Sequence, residues 1–189
     1  MEFFTEKNLD PIEIFEWLTL HKDQGENRCL LAVFYEYGIG TFIHEDSAFK
    51  NYKLAAEEGD TLAQAFLSLC YCYDMGIGTA VDRVKAFEWY EKAAIGGSVA
   101  AQCNCGNCLL EGRGVQENVR NAYIWYRKSA NGLYHKAEHM LGYCHEFGVG
   151  TLLDIHQAII WGRRALKNGN VDAKVSIDNI FTLSGFVEY

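Results

Sequence analysis

An all-α solenoid of stacked helix pairs is the fold class this 189-residue sequence predicts, and three observations predict it. One ten-residue stretch recurs at 31–40, 69–78, 105–114 and 141–150, each copy ending in Gly-x-Gly, at spacings of 38, 36 and 36 residues. A second block recurs in the same frame at 47–56, 85–94, 121–130 and 157–166, built on Ala-x-x-Trp-Tyr in its clearest copies. The composition, 49% hydrophobic and 22% charged with the single proline Pro11 and no Gly/Ser-rich linker, supplies a continuous core and marks no domain boundary. A fixed period of this length signals helix pairs that bury their apolar faces only by stacking, and it outranks any isolated motif.

The elements follow in order. Asp10-Pro11-Ile12-Glu13 opens a helix with an N-cap, a proline at the first helical position and an acid in the first turn. Ile14, Phe15, Trp17 and Leu18 give it an apolar face, and its place before the first repeat predicts a cap over residues 1–26. Each repeat then reads as helix A, glycine loop, helix B and glycine turn, over 27–62, 63–98, 99–134 and 135–170. Helix A of the second repeat is expected over 63–74, with Ala65 and Cys70 where a neighbour approaches; Ala101 and Gly106, then Ala137 and Gly142, hold those places later. The Gly-x-Gly pairs end helix A through positive φ, and Asp82, Asn118 and Asp154 are placed to cap helix B. In helix B, Ala86, Trp89 and Tyr90, then Ala122, Trp125 and Tyr126, form the buried stripe. Gly59, Gly97 and Gly169 turn the chain back, with Gly132 displaced by one. Ala173 repeats Ala137, so a fifth helix A over 171–181 is expected to cap the far end within 171–189.

These two blocks resemble the Sel-one-like repeat (SLR) family, a tetratricopeptide-related class, over about residues 25–175. The shared pattern is Ala-x-x-x-Leu-Gly-x-x-Tyr-x-x-Gly-x-Gly followed by Lys-Ala-x-x-Trp-Tyr-x-Lys-Ala-Ala, fullest at 63–97 and 137–166. Asn27, Ala32, Cys70, Cys105, Leu109, His145, Asn51 and Gly162 depart from it at single positions. The resemblance implies a right-handed superhelix of four SLR pairs with a capping helix at each end. It also implies a non-catalytic scaffold or adaptor whose concave face binds other proteins. Disulfide-bonded members carry a cysteine on each helix of a pair, which this sequence does not.

Charge and cysteines narrow the partners. A net charge of −8 disfavours nucleic acid and anionic membranes, which need a basic surface, and favours a basic protein or peptide. No apolar run approaches the roughly 18 residues of a membrane span, and residues 1–6 lack a secretory pattern. All seven cysteines fall in helix A, so no repeat can staple its own pair, and free, mostly buried thiols in the cytoplasm are expected. Self-association into a homo-oligomer is compatible with these features.

Several strings invite sharper readings. His135-Lys136-Ala137-Glu138-His139 spells an inverted zinc-protease motif, but Ala137 and Leu141 are in-phase repeat residues, which leaves the histidines as surface or groove residues. Cys103, Cys105 and Cys108 resemble a metal cluster without a fourth ligand. The Gly-x-Gly triplets follow no strand and are not phosphate loops. The expectation is therefore no catalytic residue, no metal and no cofactor. A small enzyme, or a metal- or haem-handling protein, using the cysteines and histidines of the third and fourth repeats is the alternative. The candidate partner-binding residues lie on the open side of helix A: Val33, Tyr71, Asn107 and Tyr143; then Glu36, Asp74, Leu110 and Glu146; and, one turn earlier, Leu67 and His139. Tyrosines flanked by carboxylates there suit an apolar peptide with a basic residue.

Overall fold

A computed structural model describes residues 10–24, 26–72 and 77–184, with side chains through residue 182. Among them the chain forms ten α-helices and no strand. The helices are α1 (Pro11–Leu20), α2 (Asn27–Tyr37), α3 (Glu45–Glu57), α4 (Thr61–Cys72), α5 (Arg83–Ile95), α6 (Val99–Glu111), α7 (Val119–Asn131), α8 (His135–Phe147), α9 (Ile155–Lys167) and α10 (Asp172–Ser184). Helix A of the four repeats is α2, α4, α6 and α8; helix B is α3, α5, α7 and α9. The chain forms two compact units, Met1–Trp89 and Tyr90–Tyr189.

In the first unit α2 packs on α3 and α3 on α4. Small residues at the contacts, Ala32, Ala48, Ala55 and Ala63, let the helices close around Tyr52, whose ring stacks on Phe66 at 5.0 Å. The Tyr52 hydroxyl donates to Glu36 Oε2 at 2.6 Å. Helix α1 is capped as expected: Asp10 accepts from the Ile12 N–H at 3.0 Å. It occupies the place of a helix B. Its Phe15 meets Tyr35 edge-on at 5.3 Å, as Phe49 of α3 meets Tyr71 at 5.5 Å. Gly40 lies so close to the Pro11 carbonyl that a Cβ would collide with it, as Gly78 does against Glu45 at the start of α3. The cap is thus half a repeat, closed by Leu18 on Leu31 and Phe34.

In the second unit α6–α7 and α8–α9 are the helix pairs, joined through α7–α8, and α10 closes on α9. Tyr126 is fully buried, and its hydroxyl donates to Asn107 Oδ1 at 2.8 Å. Gly106 admits that ring: a Cβ there would press into it. At the equivalent place in α9 stands Gly162, and Ile177 of α10 fills the space a tyrosine would take. Helix α10 is a helix A with Ala173, Ile177 and Ile180 buried. Asp178 stands exposed where α2, α4, α6 and α8 carry Ala32, Ser68, Gly106 and Gly142. A carboxylate there disfavours the close approach of another helix. Asp82, Asn118 and Asp154 cap α5, α7 and α9 through the N–H groups of Lys85, Asn121 and Gln157.

Candidate interaction surface

One backbone hydrogen bond recurs in each repeat, from the residue preceding helix B to a carbonyl near the end of helix A, and marks the register of helix A. The pairs are His44–Tyr35, Asp82–Tyr71, Asn118–Leu109 and Asp154–His145, at 2.8–3.0 Å. They span nine residues in three repeats and eleven in the second. The bonds Ile39–Phe34, Ile77–Cys70, Arg113–Cys108 and Val149–Cys144 show the same excess of two. The two extra residues therefore lie between Tyr71 and Ile77. Upstream of them the second repeat is shifted: Ala63, bonded to Asp60 as Ala101 is to Ser98, holds the alanine place, and Ser68 holds the glycine place. This corrects the expectation that Ala65 and Cys70 hold them.

The shift moves two candidate residues. Leu67 is 0% exposed and takes the place of the core residues Cys105 and Leu141. Tyr71 is 8% exposed, edge-on to Phe49, with the Lys85 ammonium over its ring at 5.6 Å. Both are packing residues, not open-face residues. Their places on the open side of α4 belong to Ala65 and Leu69, which are partly exposed. Val33, Glu36, Asn107, Leu110, His139 and Glu146 are partly buried and Tyr143 is exposed; Asp74 lies outside the described residues. Glu36 and Asn107 are engaged by the Tyr52 and Tyr126 hydroxyls. Tyr143, 41% exposed, packs on Phe147, 59% exposed, with ring centroids 4.9 Å apart. Partial burial pushes the neighbouring Glu146 carboxyl above its usual value.

Comparison with known proteins decides what this architecture is. A family model for the Sel1 repeat matches residues 28–60, 61–98, 99–132 and 135–170. The chain belongs to the Sel1 repeat family. Its second match is the longest, in keeping with the two extra residues. Among solved structures it is similar to c5321, a protective antigen of uropathogenic Escherichia coli with an SLR fold. That likeness has 28% identity and a TM-score of 0.85, over 93% of this chain and 38% of that one. It is similar also to a Sel1 repeat protein from Oxalobacter formigenes, at 28% identity and a TM-score of 0.82, over 95% of this chain and 52% of that one. Helicobacter pylori cysteine rich protein B shares the fold, at 23% identity and a TM-score of 0.54, over 66% of this chain and 93% of that one. The chain thus spans about two fifths and one half of the first two relatives. Comparison with curated proteins finds no match.

Within the Sel1 frame the sharper motifs acquire structural roles. Gln64 and Gln102 each donate from the side chain to the carbonyl of the preceding helix B, Ala56 at 3.2 Å and Ala94 at 3.1 Å. The fourth repeat has Glu138 at this place, fully buried, and a carboxylate cannot donate. Arg164 reaches the matching carbonyl of Ala130 at 3.4 Å and pairs with Glu138 at 2.6 Å. Asn168 donates to both Glu138 oxygens, at 3.0 and 2.8 Å. The glutamate of the His-x-x-Glu-His string is therefore held in an ion-pair clip between helices. His139 Nε2 faces Ser176 Oγ at 3.0 Å, but no carboxylate is hydrogen-bonded to its other nitrogen among the described residues.

The cysteines follow the same logic. All seven are free thiols. Burial, as the main cause, pushes Cys29, Cys70, Cys103 and Cys144 up to about 12, so they stay protonated and unreactive at neutral pH. Among the described residues no group of three or more His, Cys, Asp or Glu could hold a metal ion. No helix among them is long and apolar enough to cross a membrane. Leu69 and Phe147 are the surface residues that sequence reasoning missed. The signal for Leu69 was present: Ala63-Gln64 repeats as Ala101-Gln102, and aligning on that pair rather than on Gly76 gives the right register.

Proposed function

We propose that this chain is a non-catalytic interaction scaffold that binds a protein or peptide segment on the open side of its A helices. The observation that carries this reading is the exposed ring pair Tyr143–Phe147 beside Glu146 on α8. Adjacent aromatic rings at the surface supply the large, stiff apolar area that anchors protein interfaces. Membership in a repeat family whose resemblance implies protein binding supports it, as does the absorption of the His-x-x-Glu-His string into packing. The partner is a polypeptide, favoured by basic charge against the −8 of this chain, and the setting is the cytoplasm. The test is affinity capture from native cytosol with wild type and with Tyr143→Ala/Phe147→Ala. A partner held by wild type and lost by a variant of unchanged helical content supports the scaffold. Identical capture by both, or capture by neither, overturns it.

A further inference from the structure

The first unit holds a groove of about 720 Å³ between the N-terminal halves of α2 and α4, inside the roughly 300–1,000 Å³ range of ligand pockets. Cys29, Val33 and Ala55 are its more buried lining residues, and Leu30 and Leu62, 44% and 59% exposed, line its open part. Its rim carries Glu26, Glu58 and Asp60, and none of the described lining residues is basic. Arg28, next in sequence to the lining residues Asn27 and Cys29, is paired with Asp23, with its Nε 3.5 Å from Glu58. Glu26 and Asp60 act on this lining: after burial, they are the causes that push the Cys29 thiol up. The acids are not a habit of the fold. The turn that contributes Glu58-Gly59-Asp60 reads Gly96-Gly97-Ser98, Gly132-Leu133-Tyr134 and Asn168-Gly169-Asn170 in its other copies.

We propose that this groove receives a polypeptide segment carrying leucine-sized side chains next to lysine or arginine. The inference rests on the scaffold reading and gives it a place and a partner chemistry. The two exposed leucines supply an apolar slot, where burial of a matching side chain drives association. The acid rim selects the flanking cation and rejects an acidic segment, because like charges brought together across a partly dry groove repel. Attraction of this kind weakens with salt, while contact with the leucines does not.

The experiment is fluorescence anisotropy with the full chain and three labelled octapeptides: Ser-Lys-Leu-Lys-Arg-Leu-Ser-Gly, its version with both leucines replaced by serine, and its version with all cations replaced by glutamate. The first peptide binds, and raising salt from roughly 50 to 300 mM weakens it several-fold. The other two bind at least about tenfold more weakly, a difference of about 1.4 kcal/mol. Leu62→Ser and Glu26→Gln/Glu58→Gln each weaken the first peptide; both sets lie at exposed positions where folding is retained. Absence of binding up to about 1 mM, equal binding of the three peptides, or indifference to both variants overturns the proposal. If these fail while capture of a partner still depends on Tyr143 and Phe147, the scaffold stands and this groove is not its site. If both fail, neither stands.

Discussion

Glu138 shows how one residue change is absorbed by its neighbours. Where the second and third repeats spend a glutamine on a backbone carbonyl, the fourth keeps the carbonyl satisfied through Arg164 and the carboxylate satisfied through Arg164 and Asn168. Glu138→Ala leaves the Asn168 amide without its acceptor, while the Arg164 head, 40% exposed, can turn to water, so the unfolding free energy is expected to fall by about 1–3 kcal/mol. Glu138→Gln rebuilds the bond made by Gln64 and Gln102 and loses much less. Urea denaturation of the two variants checks the order. The histidines give a pH dependence. Burial holds the His139 and His145 imidazoles below their usual value, against the opposing pull of Asp172 and Asp154. Below the unfolded-state value of about 6.5 the unfolded chain binds more protons than the folded one, so stability is lost as pH falls through that range. Glu146, raised by burial, acts with the opposite sign at lower pH. The urea midpoint is expected to fall between roughly pH 7.5 and 5.5, and less steeply in His145→Leu, which borrows Leu109 from the same place in the third repeat. At this scale the free cysteines and the helix N-caps were legible, because each depends on local sequence. The Glu138 clip was not, because its partners lie about thirty residues away.

At the scale of the element, two glycines that look alike do different things. Gly59, Gly97 and Gly169 take left-handed backbone in the turns after helix B, and in the third repeat that conformation falls on Leu133, at φ 62°. Gly132 has ordinary φ, and its missing side chain makes room for Val99. A non-glycine residue in left-handed backbone costs about 1–2 kcal/mol. Leu133→Gly, at an exposed position, should therefore raise the melting temperature even after its entropic penalty in the unfolded chain. Gly142 has no such freedom to trade. A Cβ there stands 3.3 Å from the Ala158 carbonyl and 3.6 Å from the Gly162 nitrogen. Gly142→Leu is expected to force α8 from α9 at a cost of about 1–3 kcal/mol, read as a lower melting temperature. The all-α class and the alternation of A and B helices were legible because periodicity and punctuation set them together, whereas α4 begins at Thr61 rather than at 63. The second repeat was misaligned by two residues because its two anchors, Ala63-Gln64 and Gly76-Ile77-Gly78, disagree in spacing with the other copies, and only the backbone bonds say which side of the excess the core follows. That slip placed Leu67 and Tyr71 on an open face when they belong to the packing.

At the scale of the molecule, the two helices of each pair divide the work. The B helices supply the buried tyrosines and alanines that hold neighbours together, with Gly162 and Ile177 replacing the tyrosine in the last pair. The A helices give one side to that packing, while Leu69 and Leu110 stay partly exposed and Tyr143 exposed. The half-repeat α1 and the helix α10, with Asp178 turned outward, close their respective units. A binding function predicts that the open side of the A helices, and not the B helices, loses solvent access when a partner arrives. Hydrogen–deuterium exchange of the full chain, alone and with the partner recovered by affinity capture, tests this most directly. Slowed exchange is expected in the A helices, in α8 and at the groove of α2 and α4, with α7 and α9 unchanged. Slowing confined to the B helices would contradict it.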